Sequence, residues 1–450
     1  MGKTSTTGCR GSSSIAPPPN TPPTASGRLA SSGRPGRCTR SGVEVRSGEP
    51  PRRYLDHPAT SWPKPGSVLE GMLHALRDIG AAAGRGIHAD ARRADAVREG
   101  ARRGAARIVG AADPRRVALV SGATFGLNVA IHGLVEPGWH VVATAADHNA
   151  TLRPLKWLAD RGVIDLAVVP CDASGLVDPD DVARAWQPAT RLLVFSHASN
   201  VTGTLQDAAA LVGIARVRGA ISILDAAQTA GVVPLPSGDG GADVVVAAGH
   251  KWLQGPEGVA ILFAREGIEP RPLVQGGTGS ASNDLRMPAD LVDRLEAGTP
   301  NLAALAGLSA GIAWVERQGI GALAAHGLGL ASACRSGLAA LPGVRVLGAG
   351  GGEGPPIVGF TVEGYDPADT AVLLEQIAGV QARAGRHCAG LIHRHLPTAA
   401  EGSVRLGFGP FNIPDDVRAV IAAVAAILGI PDTDTVDPFP SPTQVPRWQE

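Results

Sequence analysis

Seven apolar, β-rich runs alternate with helical stretches between residues 117 and 264, and no other feature of the sequence constrains the fold as strongly. Strands that are covered by helices on both faces appear as continuous apolar runs, so the pattern predicts an α/β fold with a mainly parallel sheet. The last two runs are only about nine residues apart, too few for a parallel crossover, and are therefore predicted to be antiparallel. The predicted strands span residues 117–123, 140–146, 165–171, 191–199, 220–227, 243–249 and 259–264.

The pattern changes after about residue 310, where helices are interspersed with short strands. This part predicts a smaller α+β C-terminal domain. The predicted domains are a large one over residues 51–310, which includes an N-terminal entry segment, and a small one over residues 311–430. The elements predicted in the small domain are strands at 344–347, 357–362 and 403–407, and helices from Pro367 to Ile377 and from Asp415 onward.

Both ends of the chain are predicted to be disordered tails. Residues 1–50 are rich in Ser, Thr, Gly, Pro and Arg and contain no acidic residue before Glu44, so they cannot bury enough apolar surface to fold. The same composition also resembles an organelle transit peptide, and a start codon placed too early would produce it as well. Residues 431–450 are rich in proline and are predicted to be equally loose.

The charge balance and the cysteines limit the classes of partner and compartment. Forty-one basic and forty-one acidic side chains cancel, which argues against binding to nucleic acid or to a membrane through overall charge and favours a small neutral or zwitterionic ligand. No apolar run approaches the roughly 20 residues of a membrane span. The five cysteines are odd in number and scattered, so no disulfide framework is predicted and a reducing cytoplasm is expected.

An acid and a lysine follow two neighbouring predicted strands. Asp225 lies at the end of one apolar run and Lys251 follows the next, and because ligands of open α/β sheets collect at the carboxyl ends of strands, both side chains are expected at one site. This pairing suits pyridoxal 5'-phosphate, which needs a lysine amine to hold its aldehyde as a Schiff base and a carboxylate to keep its ring nitrogen protonated.

Other predicted strands also end in residues suited to this cofactor. Residues 122–124 precede a predicted helix, whose free backbone N–H groups offer a phosphate cradle. His148, after the second strand, can lie on a ring and transfer protons near neutral pH. The polar segment 196–204 can bind a carboxylate or a ring hydroxyl, and Gln228 can donate to a ring oxygen. Each signal alone is weak, but all of them point to the same edge of the sheet.

A series of motifs follows in a characteristic order along the chain: residues 54–56 with 60–65, then 196–204, 225–228, 249–251 and 294–301. Any one of them is weakly specific, whereas their order is highly specific. The series resembles class V aminotransferase-fold enzymes, and within them the group II cysteine desulfurase and selenocysteine lyase family. The resemblance covers about residues 53 to 428 and implies a type I pyridoxal-phosphate transferase fold that works as a homodimer.

The resemblance implies a cofactor-binding role for individual residues. Lys251 would form the Schiff base, Asp225 would pair with the ring nitrogen and Gln228 would donate to the ring oxygen. The remaining cofactor contacts would come from His148, which stacks on the ring, from Ala123, Thr124 and His250 at the phosphate, from Asn200, and from Thr278, which reaches the phosphate of the neighbouring subunit.

The resemblance also implies which residues bind the substrate. Asn200 and Arg405 would bind its carboxylate, Arg405 through the two-pronged geometry of a guanidinium, with Arg383 in support. Two departures from the family pattern bear on phosphate binding and on substrate choice. Ala248 stands where many relatives carry a serine that bonds the phosphate, and His57-Pro58 replaces the more usual Asn-Ala near the substrate entrance.

Cys388 lies in the segment 383–389, which resembles the loop of group II desulfurases, and the resemblance implies that this cysteine is the nucleophile. The adjacent Arg386 and His387 favour the reactive thiolate. The predicted function is conversion of L-cysteine to L-alanine with transfer of the sulfur to Cys388 as a persulfide, which waits for a sulfur-acceptor protein, as in iron–sulfur cluster assembly. Lys251 would remove the Cα proton, and His148 is the candidate proton donor.

Other functions remain open at this point. A selenocysteine lyase, another C–S lyase, an epimerase or an aminotransferase would keep the cofactor without the persulfide, and a non-catalytic scaffold would keep only the fold. A zinc site at His387, Cys388, His393 and His395 is disfavoured, because structural zinc ligands usually come in closely spaced pairs and no second cysteine lies nearby. No metal is therefore assigned.

Overall fold

A central seven-stranded sheet contains all seven predicted strands. The computed structural model describes residues 50–84, 86–236, 241–280, 282–348, 353–398, 401–431, 438–439, 446 and 448. In their order across the sheet, the strands are β2 (Val117–Val120), β8 (Ala260–Ala264), β7 (Val244–Ala248), β6 (Ile221–Asp225), β5 (Thr190–Ser196), β3 (Trp139–Thr144) and β4 (Ile164–Val169).

Within this sheet, β8 is antiparallel to both of its neighbours, and the short connection from β7 predicts this direction for the β7–β8 pair. β8 pairs with β2 and β7 in antiparallel register, whereas the other neighbouring pairs are parallel. Most strands end one to three residues before the predicted carboxyl end, because the residues at the tips turn out of the sheet into loops and helices. These tip residues are the ones that surround the site described below.

Helices cover both faces of the sheet. In β5, Leu193 and Phe195 belong to one buried apolar cluster, and Leu192 and Val194 belong to another. Because successive side chains of a strand point to opposite faces, the two clusters lie on opposite faces. The α-helices are α1 (Gly66–His74), α2 (Ala89–Val109), α3 (Ala123–Leu134), α4 (Asn149–Asp160), α5 (Pro179–Arg184), α6 (Ala208–Val217), α7 (Leu291–Leu295), α8 (Leu302–Gln318), α9 (Ile320–Ala339), α10 (Pro367–Ala378) and α11 (Pro414–Ile427).

A four-stranded antiparallel sheet forms the predicted C-terminal α+β part. Its order is β12 (Arg383–Gly385), β13 (Ser403–Gly407), β10 (Ile357–Val362) and β9 (Val344–Leu347). Side chains of this sheet share a third buried apolar cluster with α9, α10 and α11. The pairing of β12 with β13 places Arg383 opposite Arg405.

The N-terminal segment packs against the C-terminal part of the chain. β1 (Arg53–Tyr54) pairs in parallel with β11 (Val380–Gln381), and Leu55 is buried in the third apolar cluster. Gly407 N donates to Leu55 O at 2.7 Å, so the next residue, Asp56, lies beside β13. Strands of two residues are too short for a periodic pattern, and the sequence therefore does not predict this pairing.

The described residues all belong to one compact unit, so the predicted division at residue 310 stays a prediction. Apart from Pro50, the predicted N-terminal tail lies outside the described residues. In the predicted C-terminal tail, the indole of Trp448 donates to Pro410 O at 2.6 Å. In the described part of the chain, no helix combines the length and the apolar character that crossing a membrane requires.

Candidate active site

A cavity of about 210 Å³ lies at the carboxyl ends of the central strands. Eight of the nine residues predicted to bind the cofactor line it, although they come from distant parts of the sequence. They are Ala123, Thr124, His148, Asn200, Asp225, Gln228, His250 and Lys251. The tips of the strands therefore meet at one point, as expected for an open α/β sheet.

Lys251 and Asp225 reach the cavity from adjacent parallel strands. Asp225 ends β6, and Lys251 lies in the turn that follows β7. Burial lowers the pKa of the Lys251 amine to about 8, although the negative charge of Asp225 acts in the opposite direction. Burial raises the pKa of Asp225, whose carboxylate accepts a hydrogen bond from Ala227 N at 2.9 Å. This carboxyl group therefore needs a cationic partner in the cavity to remain ionised.

The first turn of α3 offers unpaired donors on the cavity wall. Gly122 precedes the helix and provides no side-chain cap, so the first backbone N–H groups have no partner within the helix. His250 also lines the cavity, and its Nδ1 is buried without a hydrogen-bond partner among the described residues. These unpaired groups, together with Lys251 and Asp225, fit the phosphate, the aldehyde and the ring nitrogen of pyridoxal phosphate.

His148 is fixed by the start of α4. Its Nδ1 accepts a hydrogen bond from Ala150 N at 3.0 Å, so the hydrogen of the neutral ring lies on Nε2. Burial, together with the charge of Lys251, lowers the pKa of His148 to about 4. The ring is therefore neutral near neutral pH and can stack on an aromatic group while it keeps one N–H donor.

Asp147 joins the tips of β3 and β5, a role that the sequence does not indicate. One carboxylate oxygen accepts from Ser196 N at 2.6 Å and the other accepts from Thr144 N at 2.8 Å. Burial raises the pKa of Asp147 to about 7, against the effect of these two hydrogen bonds. The only signal in the sequence is an acid directly after a run of buried apolar residues. Asp147 fixes the backbone immediately before His148.

Arg405, predicted to bind the substrate carboxylate, already donates to two protein oxygens. Its Nη1 donates to Asn200 O at 3.0 Å and its Nη2 donates to Asp56 Oδ1 at 2.8 Å. Its Nε is buried and has no partner within the described part of the chain. The side-chain amide of Asn200 donates to His387 O at 2.6 Å. The two predicted carboxylate-binding residues therefore lie together, and these contacts use two of the five N–H groups of Arg405.

Cys388 is exposed and lies in a turn with a sparsely populated backbone conformation. His387 and Cys388 have φ angles of 51° and 58°, which cost energy in residues other than glycine. The turn is held by a hydrogen bond of 2.8 Å from Asn149 N to Cys388 O and by the contact between Asn200 and His387. Arg383 Nη2 lies 3.7 Å from the sulfur of Cys388, so a guanidinium is in contact with this thiol.

One feature of this loop differs from the expectation. The ring of His387 does not act on the thiol, because its Nε2 lies 3.0 Å from Ser403 O and burial lowers its pKa, so the ring is neutral. Cys388 does not line the cofactor cavity. It lines an adjoining cavity of about 690 Å³, which shares Thr124, His148 and Ala150 with the first one.

Thr278 lies apart from both cavities, and its hydroxyl donates to Ser280 O at 3.1 Å. Its predicted contact with a neighbouring subunit stays a prediction. Over the described ranges of the chain, no cluster of three or more His, Cys, Asp or Glu side chains is suited to hold a metal ion.

Comparison with known proteins gives a consistent result. The family model for class V aminotransferases matches residues 53–420. A probable cysteine desulfurase of Pseudomonas putida is 36% identical over 383 residues, which cover 82% of this chain and 92% of that protein. A probable cysteine desulfurase of Methanothermobacter thermautotrophicus is 30% identical, and the match covers 84% of this chain and 95% of that protein.

Solved structures show the same likeness. The apo structure of a cysteine desulfurase from Thermococcus onnurineus matches with a TM-score of 0.78 and 28% identity, over 84% of this chain and 94% of that chain. The crystal structure of the Escherichia coli cysteine desulfurase CsdA matches with a TM-score of 0.74 and 28% identity, over the same two shares. The predicted fold is thereby confirmed, and the chain belongs to the class V aminotransferase family.

Proposed function

We propose that this protein is a pyridoxal-phosphate-dependent cysteine desulfurase, which converts L-cysteine to L-alanine and transfers the sulfur to Cys388 as a persulfide. The observation that carries the proposal is the placement of three groups. The amine of Lys251 and the carboxyl group of Asp225 line one cavity, and the thiol of Cys388 lines the adjoining one. The relatives named as cysteine desulfurases support the same activity.

The residues of the first cavity would hold the cofactor. Lys251 would bind its aldehyde, Asp225 its ring nitrogen and Gln228 its ring oxygen. The phosphate would lie on the backbone N–H groups of Ala123 and Thr124 and on His250. When bound, pyridoxal phosphate supplies an electron sink that makes the Cα–H and C–S bonds of an amino acid easier to break.

The substrate would be oriented by its carboxylate. Arg405 lies next to Asn200 and uses only two of its five N–H groups on protein oxygens, and a guanidinium binds a carboxylate with strong, directional hydrogen bonds. Lys251 would then move the Cα proton. Its pKa of about 8 instead of 10.5 leaves roughly a tenth of the amine unprotonated at pH 7, far more than an ordinary lysine would have, and the unprotonated form is the one that a general base requires. The neutral His148 would hold the carbon fragment that leaves through its Nε2–H donor.

The sulfur step conserves all atoms of the two reactants. The thiolate of Cys388 attacks the sulfur of L-cysteine, the S–S bond of the persulfide forms and the C–S bond of the substrate breaks. The electron pair of the broken bond stays with the carbon fragment, which takes up the proton of the substrate thiol and leaves as alanine. Arg383, 3.7 Å from the Cys388 sulfur, would lie beside the persulfide that forms.

The test is a single turnover with L-cysteine, followed by peptide mass spectrometry and alanine analysis. We expect alanine and one added sulfur atom on the peptide that contains Cys388. The Cys388→Ser variant should bind the cofactor but release no alanine. Cys171→Ser is the matched control, because Cys171 lies outside both cavities and its removal should leave the turnover unchanged. Alanine release at the parent rate by Cys388→Ser would refute the proposal.

A second substrate separates the proposed function from a selenocysteine lyase. L-selenocysteine in place of L-cysteine, with release of selenide as the readout, should give a turnover that depends on Cys388 less strongly, because selenium leaves carbon more readily than sulfur. A homodimer, a sulfur-acceptor protein and a cytoplasmic location belong to the same proposal. The family resemblance and the scattered cysteines support them.

A further inference from the structure

The side chain of Gln228 lies between a pure donor and a pure acceptor. Trp252 Nε1 donates to Gln228 Oε1 at 3.2 Å, and Gln228 Nε2 donates to Pro58 O at 3.0 Å. An indole N–H can only donate and a backbone carbonyl can only accept, so these two contacts permit one orientation of the amide. Gln228 and Trp252 are both buried, and water does not compete for either contact.

This orientation leaves one amide hydrogen for the cavity. Nε2 carries two hydrogens, of which one is on Pro58 O. Because Gln228 lines the cofactor cavity, the second hydrogen is available to an acceptor there. If the amide turned over, it would present its oxygen to that acceptor and would leave the buried N–H of Trp252 and the buried oxygen of Pro58 unpaired, which is unfavourable.

Trp252 is in turn held by His57. The two rings are stacked, with their centroids 6.2 Å apart and their planes 21° from parallel. A Cβ atom on Gly409 would lie 2.1 Å from Cε1 of His57, so the backbone at Gly409 packs directly against the imidazole. His57 and Pro58 are the two residues that replace the more usual Asn-Ala. The support of Gln228 therefore involves residues that depart from the pattern implied by the family resemblance.

We propose that Trp252 is a positioning residue, which fixes Gln228 so that its amide donates to the ring oxygen of the bound cofactor, while His57 holds Trp252 in place. The inference rests on the proposed assignment of pyridoxal phosphate to this cavity. A fixed donor stabilises the negative charge on the ring oxygen. The Schiff base of the bound cofactor then loses its proton at a lower pH than it would beside a mobile amide.

The test is the pH midpoint of the absorbance change of the bound cofactor, which does not depend on turnover. Trp252→Phe keeps an aromatic ring against His57 but removes the N–H donor. We expect its midpoint to rise by about 0.5 to 1 pH unit, the effect of one weakened hydrogen bond. In a Gln228→Leu background the same substitution should cause no further shift. Trp186→Phe is the control, since Trp186 lies outside the cavity, and its midpoint should equal that of the parent.

If the absorbance band of the cofactor is present, either of two results would overturn the inference. One is a Trp252→Phe midpoint equal to that of the parent, and the other is a shift that persists in the Gln228→Leu background. Absence of the band in the parent protein would instead refute the proposed function. If Trp252→Phe does not fold, Trp252→His retains a ring N–H and serves as the second variant. A midpoint close to that of the parent supports the inference, and a midpoint equal to that of Gln228→Leu refutes it.

Discussion

Asp56 Oδ1 accepts a hydrogen bond of 2.8 Å from Arg405 Nη2, across a separation of 349 positions in the sequence. The contact exists because β1 pairs with β11 and because the backbone of Gly407 is hydrogen-bonded to that of Leu55. Arg405 is only 1% exposed, so its charge needs a partner inside the protein. Asp56 provides this partner through one of the five N–H groups of the guanidinium.

Replacement of Asp56 by Asn removes the anion of this pair. We expect the ligand-free protein to lose roughly 3 kcal/mol of stability, at the lower end of the cost of breaking a buried pair because Asp56 keeps some exposure. The urea midpoint of unfolding measures the loss. Asp113→Asn is the matched control, since Asp113 and Arg115 are both largely exposed and such pairs contribute less than about 1 kcal/mol. Equal losses in the two variants would contradict the prediction.

Replacement of Arg405 by Lys keeps the positive charge but removes the Nε donor and the planar fork. We expect KM for L-cysteine to rise by about 10- to 100-fold, as the loss of a charge-assisted hydrogen bond predicts, with a smaller change in kcat. Steady-state alanine formation measures both constants. Inhibition by cysteamine, which has no carboxylate, provides the control and should be the same in parent and variant. A KM at the parent value would show that Arg405 does not bind the carboxylate.

Most of the fold could be predicted because its elements leave strong local patterns. The central strands are buried on both faces and therefore form continuous apolar runs, and the short connection before β8 determines its direction. β1, β11 and β12 have two or three residues each, too few to show any period. Their existence depends on contacts between distant segments, which no local pattern records.

The candidate site could also be predicted only in part. The residues at strand tips, such as Asp225 and His148, could be predicted because each follows a recognisable strand. The residues that hold them in place could not. Trp252 acts on Gln228 and Asp56 acts on Arg405 only through tertiary contacts. Likewise, the sequence suggests that His387 favours the thiolate of Cys388, whereas burial lowers the pKa of this ring and keeps it neutral, against the effect of its contact with Ser403.

The lowered pKa of Lys251 predicts how the apoprotein captures its cofactor as a function of pH. Only the unprotonated amine attacks an aldehyde, and the pKa of about 8 replaces the ordinary value of 10.5. The capture rate should therefore rise with pH and level off above about 8, instead of rising up to the ordinary value. Stopped-flow absorbance after mixing apoprotein with pyridoxal phosphate measures the rate.

Two controls accompany this pH profile. A free lysine derivative should show a rate that continues to rise up to its ordinary pKa. The Lys251→Ala variant should show no absorbance change from Schiff-base formation. A profile for the parent protein that coincides with the free amine would mean that the cavity does not desolvate Lys251.

Helix α8 packs directly on the loop that follows Lys251, and Gly311 permits this approach. A Cβ atom at position 311 would lie 2.5 Å from Leu253 O and 2.9 Å from Gly255 N, both of them backbone atoms. Gly311→Ala should therefore destabilise the protein by about 1–3 kcal/mol, because the strain of overpacking exceeds the gain in helix propensity. The displaced loop should also slow capture of the cofactor by Lys251. The urea midpoint and the stopped-flow rate measure the two effects.

Gly213→Ala in α6 is the matched control, because a Cβ atom there would meet nothing within 4 Å. This variant should gain about 1 kcal/mol from helix propensity alone and capture the cofactor at the parent rate. If Gly311→Ala were as stable as Gly213→Ala, the loop would be able to move away without cost, and α8 would not fix the position of Lys251. A loss of stability with an unchanged capture rate would show that the packing supports the fold without positioning the amine.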